Sequence, residues 1–310
     1  MRRILASGIV LLLLWMPARA QPTAFVGGTV VNPAGAPTVE DATVLVEGGR
    51  IAAVGPSSEV EVPGEATVVD VRGKYLIPGL TDGHVHFFQS GGLYTRPDVI
   101  DLRAVRPYEE RELARIRERL PDTFARYLRS GVTSAVDVGG PMWNLQVRAM
   151  ADTMAKAPRV TVAGPLISSV QPEALTTDDP PILLIETPEA ARAEVRRQVE
   201  AGVDRIKIWY IVRETPEAFR PVVEATIDEA HAAGKRVAVH ATQLETARAA
   251  VEAGADVLVH SVSNRPVDEA FVQLLVENDV LYTPTLMVGE RYRRVFAGQL
   301  DLTGPERRIG

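Results

Sequence analysis

The 310-residue sequence contains no cysteine. It can therefore build neither a disulfide framework nor a thiolate metal site, and no lipid can be attached to a cysteine near its start. Long runs of lysine and arginine are also missing, and the net charge is −6. That balance argues against nucleic acid as the main partner. No Gly-x-Gly-x-x-Gly or P-loop pattern is present, so Gly139-Gly140-Pro141 and Gly164-Pro165 read as tight loops after strands rather than phosphate cradles. There is no low-complexity tract and no short-period repeat. The apolar run Ile4–Met16 falls short of the roughly 20 residues that a spanning helix needs.

What is present begins with a targeting pattern. Arg2 and Arg3 precede the apolar run, and Ala18-Arg19-Ala20 follows it as a small-x-small cleavage site. Residues 1–20 thus read as a cleaved export signal, a membrane anchor being disfavoured by length. Cleavage removes three arginines and no acid, taking the net charge from −6 to −9. Export without disulfides fits a periplasmic or secreted protein, with no membrane span once the signal is gone.

The remainder changes grammar once. Ala24–Val26, Thr29–Val31, Ala42–Glu47, Arg50–Val54 and Thr67–Val71 are short strand-like runs separated by Gly and Pro turns. This spacing predicts a small antiparallel sheet over residues 21–78. From residue 79 to 310, apolar β-branched runs alternate with charged, alanine-rich helical segments, the pattern of βα units feeding a parallel sheet. The strands read are Leu76–His86, Thr133–Val138, Arg159–Ala163, Arg205–Trp209, Arg236–Ala241, Val257–His260 and Val280–Thr285. Helices such as Pro188–Ala201, Pro216–Ala233, Leu244–Ala253 and Val267–Asn278 lie between them. Gly131, Gly202, Gly234 and Gly254 each stand between a helix and a strand, where a positive φ commonly ends a helix.

Chemistry concentrates at the strand ends. Three of the five histidines end apolar strands: His86, His240 and His260. His84 and His86, two apart, point to one face of an extended strand and can supply half of a metal's ligands. In a parallel barrel the C-terminal strand ends gather at one mouth. Lys207 interrupts the apolar run Arg205-Ile-Lys-Ile-Trp209, where a buried amine is costly unless paired or modified. Each signal alone has a bland reading, a hydrogen-bonded core histidine or a snorkelling lysine. Their recurrence along one βα series is what favours a site. Tyr210 and Trp209 either line a substrate pocket or pack between sheet and helix. Asp82 is expected to order a turn, Asp137 is a weaker pocket candidate, and His231 reads as a surface or packing residue within a helix.

Taken together, Ile77-Pro-Gly-Leu-Thr-Asp-Gly-His-Val-His86, the lysine strand and the strands ending in His240 and His260 resemble the amidohydrolase superfamily, in its imidazolonepropionase-like and prolidase-like branch. The resemblance implies a TIM-like (β/α)8 barrel preceded by a small β-sandwich segment. It also implies two divalent metal ions, usually zinc, held by His84, His86, His240 and His260 and bridged by a carbamylated Lys207. A metal-activated water would hydrolyse an amide, dipeptide or cyclic amide, so the partner is a small molecule, and an oligomer is compatible. The family's aspartate at the end of strand eight is not found. After His260 only Asp268, Asp279 and Asp301 remain, in or beside a helix or in a polar segment. With seven strands read, the expectation is a barrel lacking strand eight in a truncated copy whose catalytic base is unknown. The competing expectation is an impaired fragment or non-catalytic binding scaffold descended from such an enzyme.

Overall fold

The computed structural model describes residues 21–89, 110–213 and 215–287, with 290, 293–294 and 297–299. The export signal and Asp301 lie outside the described residues. The chain divides into two compact units, Met1–Pro78 and Gly79–Gly310.

The first unit is one five-stranded sheet: β1 (Thr23–Val30), β2 (Val39–Glu47), β3 (Arg50–Pro56), β4 (Thr67–Asp70) and β5 (Tyr75–Leu76). β2 and β3 form a hairpin whose two-residue turn, Gly48-Gly49, has φ of +56° and +75°, the primed-turn geometry that suits strand twist. Two sequence expectations change here. β1 is a single strand through a bulge at Gly27-Gly28 rather than two strands. The sheet is also mixed, since β1 pairs antiparallel with β2 but parallel with β4 and β5. Strand direction depends on how the intervening loops return, which no local pattern encodes. A second sheet that would make this a sandwich is not among the described residues.

The second unit is a parallel βα series, TIM-like in its order. It runs β6 (Leu80–Val85), α1 (Glu110–Arg129), β7 (Val132–Asp137), α2 (Asn144–Thr153), β8 (Arg159–Val162), β9 (Leu166–Ser168) and β10 (Ile182–Leu184). It continues with α3 (Pro188–Ala201), β11 (Arg205–Trp209), α4 (Arg220–Ala232), β12 (Arg236–His240), α5 (Leu244–Glu252), β13 (Val257–Val259), α6 (Glu269–Glu277) and β14 (Leu281–Thr283). β6-β7-β8 form one hydrogen-bonded sheet and β10-β9-β11-β12-β13-β14 another, all parallel, with the Ala163–Arg205 bridge joining them. Six of the seven strands expected from sequence are there as read, with small changes of bounds, whereas the expected Leu76–His86 divides: Leu76 joins β5 of the first unit and β6 begins at Leu80. β9 and β10 are additional strands, each only three residues long and too short to show a periodicity in the sequence.

Among the described residues no ladder joins β6 to β14, so the barrel is not closed by hydrogen bonds. The two nevertheless approach each other: a Cβ at Gly83 would lie 3.8 Å from the Thr283 hydroxyl.

Side-chain alternation divides the unit's interior. Ile206, Ile208, Val237, Val239 and Leu258 point to the helices and pack with residues such as Val195, Val223, Ile227, Ala247 and Phe271. The opposite face carries a small apolar cluster, Val136, Val138, Ala238, Val257 and Val259. Lys207 alternates with Ile206 and Ile208 and pairs with Ala238 across the ladder, which places it on that opposite, inner face. Helix ends follow the expected chemistry. α3 starts with the Thr187 hydroxyl accepting from the Ala190 N–H and stops at Gly202, whose φ is +92°.

Candidate functional site

His84, His86, His240 and His260 come together. Ring centroids are 5.2 Å apart for His84–His86, 4.6 Å for His84–His260 and 4.5 Å for His240–His260. β6, β12 and the residue after β13 position them. For His84 and His86 the period-two rule suffices, because Val85 between them packs into the helix-side core.

His260 needs more. Val259 faces inward and Leu258 faces the helices, so a continued strand would turn His260 away from the site. Instead His260 has a left-handed backbone with φ of +73°, which re-aims its ring toward His240 and His84. A non-glycine residue held there is strained, and such strain clusters at functional sites. Its Nδ1 lies 3.1 Å from the hydroxyl of Thr285, itself at φ +49°.

Tautomers follow from the partners. His86 Nδ1 is 2.6 Å from the Gly139 carbonyl, which can only accept, so this nitrogen carries the proton and in the neutral ring Nε2 is bare. His84 Nε2 then donates across 3.3 Å to His86 Nε2. This leaves the buried His84 Nδ1 as a bare acceptor, and it has no hydrogen-bond partner. Burial, with the nearby Lys207 amine and the other imidazoles, holds the His84 imidazole well below its ordinary range, so it is neutral. The His84 backbone N–H donates to Asp82 within β6, where the pairing register shifts, so Asp82 braces an irregular stretch of strand rather than the expected turn.

Lys207 is 1% exposed and its Nζ has no hydrogen-bond partner. Burial draws its pKa from 10.5 down to about 7, opposed by Asp137. Asp137 is fully buried, and burial pushes its carboxyl from 3.8 up to about 7 against hydrogen bonds from Phe87, Gly139 and Asn144. Asp137 is thus no pocket-lining residue: its carboxylate is enclosed by protein.

The aromatic candidates separate. Trp209 pairs with His240 in the ladder and stands edge-on to its ring at 6.0 Å, so it borders the cluster. Tyr210 does not. It is 2% exposed, packs on Phe219 and donates its hydroxyl to the Pro216 carbonyl. The pocket reading of Tyr210 is therefore corrected to sheet–helix packing, because the next residue along a strand faces the other side. His231 lies on α4, away from the cluster, with its Nε2 2.9 Å from Asp256. Asp268 caps α6 by accepting from the Phe271 N–H, and Asp279 follows that helix at φ +51°, so neither ends a strand.

Among the described residues no three His, Asp or Glu side chains already stand as a finished cage for an ion. The donors do fit a divalent metal on two counts. Zinc–nitrogen bonds of about 2.0–2.1 Å in a tetrahedron put ligand nitrogens about 3.3 Å apart, which is the His84–His86 Nε2 separation of 3.3 Å, and an ion there would replace the hydrogen bond with the His84 proton moving from Nε2 to Nδ1. The orphaned Lys207 amine is the second: a buried polar atom without a partner is costly unless something absent completes it.

This fold is a TIM-like α/β series, and the histidine–lysine cluster is its candidate site. Residues 75–288 match the Amidohydrolase family, and the chain belongs to that family. It is 30% identical over 132 residues to the enamidase of Eubacterium barkeri, a stretch covering 43% of this chain and 28% of the enamidase. Two solved structures, both 26% identical, superpose on it. An uncharacterised protein gives a TM-score of 0.74, covering 92% of this chain and 70% of its own. A structure described as a candidate prolidase from Bifidobacterium longum gives 0.67, with 91% and 66% covered. The chain therefore spans about two thirds of the solved relatives.

Proposed function

We propose that this chain carries the metal centre of an exported amidohydrolase that cleaves a C–N bond in an amide, dipeptide or cyclic amide. The observation that carries the reading is Lys207, an amine buried without a partner on the face that also bears His240. With its pKa near 7, a large share of the amine is neutral and able to attack carbon dioxide. The N–C bond forms, one proton leaves, and the product is a carbamate, an anion that suits two cations. His84 and His86 would hold one divalent ion, most simply zinc, and His240 and His260 the other, with the Lys207 carbamate between them. A bound pair of ions supplies Lewis acidity for a carbonyl and lowers the pKa of water toward neutrality.

The chain's own residues do the rest. The Gly139 carbonyl holds the His86 ring, His260 is turned inward by its backbone, and the Trp209 ring stands beside His240, where it would meet an apolar substrate group. Dipeptide-like substrates are favoured because the B. longum relative is described as a prolidase. Export rests on the signal pattern of residues 1–20.

Protein expressed with zinc and bicarbonate should carry close to two zinc ions per chain by elemental analysis, and Lys207→Met should lose at least one. Release of free amine from panels of Xaa-Pro dipeptides, N-acyl amino acids and cyclic amides then locates the substrate class. Absence of both metal and turnover would sink the proposal. A second reading, a metal-holding but catalytically impaired chain, is favoured by one observation: neither Asp268 nor Asp279 ends a strand. Two zinc ions without turnover on any panel would select it.

A further inference from the structure

Asp137 is the largest unexplained investment near the cluster. It ends β7, is 0% exposed, and its two oxygens receive three hydrogen bonds. The Phe87 N–H donates to Oδ2 at 2.9 Å, the Gly139 N–H to Oδ1 at 2.9 Å, and the Asn144 side-chain amide to Oδ1 at 3.0 Å. Two of these donors flank the same histidine by different routes. Phe87 is the residue after His86, and the Gly139 carbonyl is the acceptor for His86 Nδ1.

We infer that Asp137 is a positioning residue that clamps the backbone on both sides of His86, locking its ring orientation and keeping the proton on Nδ1 so that Nε2 faces the cluster. Outer partners of ligating histidines commonly act in this way. Here the carboxylate works through the backbone of Gly139, whose N–H it holds and whose carbonyl meets the ring, rather than by touching the imidazole.

The local sequence is built around this clamp. Gly139 sits at φ +124°, and a Cβ there would meet the Leu166 side chain at 2.6 Å and the Gly164 carbonyl at 2.9 Å. A Cβ on Gly140 would meet Phe88 at 2.6 Å and the Asn144 amide at 2.7 Å. The Gly140 N–H donates to the Gly164 carbonyl at 3.1 Å, which fixes the turn from its far side. Only a turn without side chains lets the Gly139 backbone lie between the carboxylate and the imidazole. Asp137-Val-Gly-Gly is therefore one device, not a strand end followed by a generic loop.

The inference rests on the proposed function only for what His86 ligates; its tautomer claim stands without metal. Nitrogen-15 side-chain spectra of metal-free protein labelled at histidine report which ring nitrogen is protonated. In the parent, His86 should be Nδ1-protonated. In Asp137→Asn, which puts a donor where an acceptor is needed, the His86 signals should move to mixed tautomers while His231 is unchanged. Zinc affinity, read by competition with a chromophoric chelator, should fall roughly 10–100-fold. Asn144→Ala, which spares both backbone donors, should shift His86 the same way by less.

If His86 keeps its tautomer in a folded Asp137→Asn protein, the inference is wrong. It is equally wrong if Asp137→Asn fails to fold and Asn144→Ala leaves His86 untouched. Should the parent bind no zinc while the His86 tautomer still depends on Asp137, the clamp stands and the metal assignment falls.

Discussion

Lys207 shows how one buried charge ties stability to pH. Burial lowers its pKa in the folded chain from 10.5 to about 7, so between those values the unfolded chain binds a proton that the folded chain refuses. Stability of the metal-free protein should therefore rise with pH across that window, by at most about 1.4 kcal/mol per pH unit from this group. Asp137 works in the opposite sense below it. Its folded pKa is raised from 3.8 to about 7, so its contribution is fully present below 3.8 and is lost as pH rises through 7. Urea unfolding at pH 7 and pH 9.5 checks the lysine: the parent should gain stability at the higher pH. Lys207→Met should show little of that gain and be more stable than the parent at pH 7. An equal gain in both proteins would contradict the buried-amine account.

At the scale of elements, one device recurs where helices hand over to strands. Ala201-Gly-Val-Asp204 and Ala253-Gly-Ala-Asp256 each end a helix at a glycine of positive φ and then present an aspartate. Asp204 accepts from the Val162 N–H of β8 and from Arg148, both at 2.8 Å. Asp256 accepts from the Val237 N–H of β12 at 2.7 Å and has His231 at 2.9 Å. Each carboxylate thus satisfies a backbone donor of another strand, Asp256 near the start of β12 and Asp204 at the end of β8. Replacing either by alanine leaves that donor without its acceptor and should cost roughly 1–3 kcal/mol in urea unfolding. Asp228→Ala should cost under about 1 kcal/mol, since its partner Arg192 is a surface pairing. Comparable losses at all three positions would refute the assignment. The repeated glycines are visible in the sequence, but the aspartates' partners are not, because each lies 19 or 42 residues away.

At the scale of the molecule, α6 and β14 carry an apolar surface. Val276 is 69% and Leu281 59% exposed, with Val272, Leu286 and Met287 also open to solvent. β14 pairs on one edge with β13, and its other edge has no ladder among the described residues. Exposed aliphatic side chains grouped in this way promote association. Purified chain should show concentration-dependent self-association in light scattering, and Val276→Glu with Leu281→Lys should suppress it. Monomeric behaviour of the parent at all concentrations would remove this expectation.

Local patterns alone were enough to specify the βα alternation, several boundaries to the residue, as for Pro188–Ala201 and Arg205–Trp209, and the gathering of His84, His86, Lys207 and His240 on one side. Period and punctuation are properties of neighbouring residues, so they can be read without a fold. Only tertiary structure could decide that His260 leaves the strand path at φ +73°, that Trp209 rather than Tyr210 borders the cluster, and that Asp137, on the helix side of its strand, meets two backbone donors. Those outcomes depend on which donor meets which acceptor across gaps such as the 50 residues between Phe87 and Asp137. The energy of such a meeting comes from excluding water around it, and that exclusion exists only once the sheet and helices have packed.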